Sequence, residues 1–148
     1  MSRVVTVDSV GSQRHRLRRT IAEALRRLTA KRELDEEARD LAALIVFSLR
    51  EIDEGVEQTV AAWEKRDYYL KADRFRQDWL WVGGAADELE RILRHQAWDR
   101  LPAALARLLS HFSDITVNRM VRSERLWQGC DQRLLERPAG GQGRRPSS

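Results

Sequence analysis

Leu41, Ile45, Leu49, Ile52, Val56, Val60 and Trp63 follow one another at steps of three and four residues. Only an α-helix brings such positions onto one face, and steps averaging near a heptad half-repeat lay that face along another helix. Asp35, Glu36 and Glu37 place an N-cap acceptor and two carboxylates where a helix dipole is positive, so a helix is predicted over roughly 35–65. At 1.5 Å per residue it would span about 45 Å, longer than one domain of this mass requires. Gly55 inside it lowers helix propensity and permits a close crossing.

The same periodicity recurs on both sides. Leu17, Ile21, Ala24, Leu25 and Leu28 form one apolar face of a first helix that Ser12 can cap. Tyr68, Ala72, Phe75, Trp79 and Val82 start a new phase, so a bend is predicted at Arg66-Asp67 and a third helix up to Gly83-Gly84. Tyr68, Phe75 and Trp79 are expected in the core. Leu89, Ile92 and Leu93 mark a fourth helix. Pro102 suits the first turn of a fifth, with Leu105, Leu108, Leu109, Phe112 and Ile115 inward. A weaker amphipathic stretch lies between Leu126 and Leu135. The expected fold is all-α, a bundle of four to five helices occupying 12–137. Residues 1–11 read as an extended or flexible arm, and 138–148 as a disordered tail of Gly, Arg, Pro and Ser.

The net charge of +4 conceals an asymmetry. Residues 1–32 carry nine Lys and Arg against two Asp and Glu; residues 33–100 carry ten against seventeen; residues 101–148 carry eight against four. A basic segment can meet phosphate, or it can meet acidic helices of its own chain or of another copy. The second outcome is favoured here, with the first-helix arginines facing Glu51, Glu54 or Glu57.

Residues that could carry chemistry are sparse. His15, His95 and His111 share no helix face, and a single cysteine, Cys130, excludes both an internal disulfide and a cysteine-based zinc site. Nothing near Cys130 argues for an activated thiol. Glu51, Asp53, Glu54 and Glu57 read as a solvated helix face. Gly83-Gly84 lacks the strand and the Lys-Ser/Thr of a phosphate loop. Between Trp63 and Trp81 basic and aromatic residues interleave, but the alternating Glu64, Asp67, Asp73 and Asp78 argue against a phosphate-tracking groove. No apolar run reaches the roughly 18 residues of a membrane span.

These features predict a small soluble, non-enzymatic interaction or assembly protein, without metal, cofactor or membrane, in the cytoplasm. Self-association is favoured, as a dimer through the stripe Leu41, Ile45, Leu49, Ile52, Val56, Val60 and Trp63, with another protein as the other possible partner. Trp81, Trp98 and Trp127 lie off the clear stripes and add to the apolar area a second copy would cover. The alternative is a nucleic-acid-binding accessory protein whose first helix contacts phosphates through Arg14, Arg16, Arg18 and Arg19.

Overall fold

A computed structural model of the chain describes residues 7–138, with side chains from Ser9 onward. The described residues form six α-helices: α1 (Val7–Thr29), α2 (Glu36–Glu64), α3 (Tyr69–Asp78), α4 (Trp81–His95), α5 (Leu101–Ser110) and α6 (Cys130–Glu136). Short 3-10 turns cover Trp98–Arg100 and Glu124–Leu126, and no strand occurs among these residues. The all-α class is as expected, and the weak stretch near Leu126–Leu135 supplies the sixth helix.

The bundle is built around α2. Asp35 caps it by accepting from the Ala38 amide at 2.8 Å, with Glu36 and Glu37 in the first turn. α1, α3, α4 and α6 all pack against it. From Ala38 to Arg50 nearly every side chain is buried, including Ala42, Ala43, Leu44 and Val46, which lie off the predicted stripe. A helix that is apolar on every side belongs at the centre of a bundle. Leu41, Ile45, Leu49, Ile52, Val56 and Val60 are all fully buried within one chain, and Trp63 is half-buried beside them. No single neighbour is as long as α2, but together the four cover it. The stripe is therefore core, not a free docking face.

Several boundaries differ from expectation. α1 starts at Val7, so residues 7–11 are helical where an arm was predicted, and Ser12 is an exposed interior residue rather than a cap. Tertiary packing extends the helix, because Val10 is buried against Gly55. The predicted arm at 1–6 and tail at 139–148 lie outside the described residues. Gly83-Gly84 does not end a helix. It sits in the first turn of α4, where the bare face of Gly83 lies beside Asp53 of α2. α5 stops at Ser110, leaving Leu109 exposed, while Trp127 is buried and Trp81 and Trp98 pack on the core.

Gly55 provides the close approach of α1 to α2. A Cβ there would lie 3.1 Å from Val10 Cγ1. Gly55→Leu should therefore destabilise the fold by about 1–3 kcal/mol through overpacking, outweighing the helix propensity it gains. Urea unfolding followed by circular dichroism measures this; an unchanged midpoint would contradict the tight crossing.

The long irregular stretch between α5 and α6 lies against α1. Arg18 donates to both Asp114 carboxylate oxygens (2.7 and 2.9 Å) and to the His111 carbonyl at 2.9 Å. Arg19 reaches the Thr116 carbonyl, and Arg26 the Val117 carbonyl. Arg122 returns the interaction by donating to Glu23, Thr20 and the Arg16 carbonyl. Arginine forks suit this task, since one side chain can satisfy several carbonyls of a segment that has no ladder of its own.

Candidate functional site

α2 ends in a Schellman turn. The Tyr68 amide donates to the Trp63 carbonyl and the Asp67 amide to the Glu64 carbonyl, with Asp67 at φ 64. This left-handed residue sets the exit direction of the chain and swings Tyr68 outward, so Tyr68 is not core as its spacing suggested. α3 then rests on the bundle through Ala72, its one buried residue. Phe75 and Trp79 are half-buried instead of internal.

Large apolar side chains are left in water here. Tyr68 is 50% exposed, Tyr69 61%, Leu70 66% and Leu80 70%, so four of the eight exposed large hydrophobics among the described residues lie between positions 68 and 80. A groove of about 790 Å³ opens on this face, with Trp63 and Phe75 in its lining. Its wall is stiff. Trp63 meets Phe75 edge-on at 5.1 Å, Phe75 leads to Trp79 and Trp79 to Trp81, and Trp81 stacks on His111 at 3.7 Å. The Arg14 guanidinium covers Phe75 at 4.9 Å and Trp79 at 5.3 Å, and Lys71 Nζ stands 4.5 Å over Trp63.

The predicted phosphate contacts are not presented together. Arg14 lies on the aromatic wall and donates to Thr59 Oγ1 at 3.2 Å. Arg18 and Arg19 hold the 111–116 stretch, and Arg19 also pairs with Glu23. Arg16 alone of the four is exposed, the others being half-buried. Their partners are not Glu51, Glu54 or Glu57, which face solvent; Arg76 of α3 approaches Glu57 at 3.6 Å.

The remaining candidates have structural environments. Burial pushes the Cys130 thiol up, despite Arg133 beside it. Burial holds the His111 ring below its ordinary value. Among the described residues no three His, Cys, Asp or Glu side chains come together as a metal site, and no helix is long and apolar enough to cross a membrane. A second groove of about 400 Å³ lies at the turn between α1 and α2, lined by Leu34, Trp98, Leu101, Leu105 and Leu109; Lys31 at its edge is already paired with Asp35 and Glu37.

Comparison with known proteins gave no matching family model, no matching curated protein and no matching solved structure.

The α3 face was readable in part. Tyr68-Tyr69-Leu70 puts three large apolar residues in a row at a helix start. A period of 3.6 cannot turn three consecutive side chains inward on a helix that touches the bundle along one side.

Proposed function

We propose that the chain is a small non-enzymatic interaction protein that self-associates. The observation that carries this is the exposed set Tyr68, Tyr69 and Leu70 lining a groove whose Trp63 and Phe75 rings pack edge-on. Clustered exposed apolar side chains mark interaction sites, and tyrosines on a rigid support lose little conformational freedom when covered. The buried carboxylates Glu23, Asp40 and Glu90 all accept hydrogen bonds from structural partners, which argues against acid–base chemistry at them. The alternative of a phosphate-binding α1 loses support because Arg14, Arg18 and Arg19 are engaged inside the chain.

Light scattering coupled to size exclusion tests this on the full chain. The expected mass at micromolar concentration is about twice 17.2 kDa, little changed by salt because the contact is largely apolar. A mass of 17.2 kDa across the concentration range would overturn self-association. Tight, salt-sensitive retention of generic DNA or RNA would move the phosphate-binding alternative ahead.

A further inference from the structure

We infer that the α3 face is the contact between copies, and that it meets the same face of a second copy across a two-fold axis. This rests on the self-association proposed above and adds the surface and its symmetry.

The groove is edged by charges of both signs. Asp67 and Asp78 stand on its rim with Lys71 and Arg74, so its local charge balances. Asp67, Arg74 and Asp78 are exposed, and none makes an ion pair within 4 Å among the described residues. Opposite charges four residues apart, as Arg74 and Asp78 are on α3, can pair along a helix, but these two do not. Lys71 lies over the Trp63 ring.

A rim with unpaired acids and an unpaired base, around an apolar centre, is complementary to itself. Under a two-fold operation residue i meets j while j meets i, so Arg74 of each copy can face Asp67 or Asp78 of the other while Tyr69 and Leu70 cover one another. The polar rim around an apolar centre is the usual anatomy of such a contact. With two acids and two bases, the rim offers neither a polyanion nor an anionic membrane any net attraction. A second copy of the chain brings the required charges of both signs in the required order.

Variants of the full-length chain test the surface separately from self-association. Leu70→Glu changes a side chain that is 66% exposed, so the fold should keep its circular dichroism spectrum and unfolding midpoint. Its mass should fall to that of one chain at a concentration where the unmodified protein is dimeric. Arg74→Asp makes the rim acidic on balance, with Lys71 over the Trp63 ring as its remaining base, and Asp67→Lys with Asp78→Lys makes it wholly basic. Each should be monomeric alone, and an equimolar mixture should regain the dimer mass, with the regained species weakened by salt. A Leu70→Glu protein that remains dimeric would place the contact elsewhere and leave self-association standing. An unmodified chain that is monomeric throughout would overturn both proposals. Monomeric charge variants that fail to combine when mixed would overturn the two-fold charge pairing.

Discussion

Replacing Glu90 with alanine should lower stability by about 3–5 kcal/mol at neutral pH, among the largest effects of any single side chain here. Glu90 lies on α4, almost fully buried, and its two oxygens hold two cations. Arg50 Nη2 of α2 donates at 2.8 Å and Arg94 Nε at 2.7 Å. Arg50 has a second acceptor in Asp87, at 2.7 Å. Burial alone would push the Arg50 guanidinium down, but hydrogen bonds to Glu90 and Asp87 hold it above its ordinary value. Arg94 extends the chain of contacts by donating to the carbonyls of Leu134, Arg137 and Pro138, where α6 has run out of amide partners.

Removing the carboxylate leaves Arg50 buried beside one half-exposed acid and frees Arg94 from its anchor under α6. The cost comes mainly from an uncompensated buried charge, not from loss of a pair that was strongly favourable. Replacing both partners, Arg50→Leu with Glu90→Leu, should therefore lose clearly less than Glu90→Ala alone. Urea unfolding at pH 7 reads both. If the double variant is the less stable one, the network contributes through the pair itself.

The helical periods were legible because each rests on local geometry, and burial followed them along α2, α4 and most of α5. What the stripe could not convey was how many neighbours α2 has. The run from Leu41 to Leu49, apolar except for Ser48, carried that information, since such a run is buried on all sides. Counting only the stripe left an unfilled face and suggested a partner helix from another copy. The contacts of the arginines were illegible for a different reason. A guanidinium on α1 can reach any acceptor within several ångströms, and its partners Asp114, Thr116 and Val117 lie more than 90 residues away in a segment with no period of its own. The exposed face on α3 depends on one left-handed residue, Asp67, and Asp is compatible with several turn types.

Glu23→Gln should produce a stability loss that depends on pH, because Glu23 is the point at which that irregular segment is fastened. Its side chain is 1% exposed. It accepts from the Val121 amide at 2.7 Å, the Arg122 amide at 3.0 Å, Arg122 Nη1 at 2.7 Å and Arg19 Nε at 3.1 Å. Burial pushes its carboxyl up, but the two backbone amides, Arg19 and Arg122 outweigh it and hold the group below the usual carboxylate range. A folded-state value below the unfolded one, about 4.3 for Glu, makes the ionised group stabilising above the unfolded value. That contribution is lost as pH falls through the folded value. Glutamine has the same shape but brings an NH₂ against donors that need an acceptor, and it leaves Arg122 without its counter-charge. The expected loss at pH 7 is about 3 kcal/mol or more. The gap between Glu23→Gln and the unmodified chain should narrow as pH falls below about 4 and Glu23 becomes protonated in the folded state. Asp35, Glu37 and Asp114 are also held low by their partners, so both proteins should weaken in acid, and the difference between them isolates Glu23. Paired urea titrations from pH 7 to pH 2 measure it. A gap that stays constant over that range would mean that the carboxylate's charge does not fasten the segment.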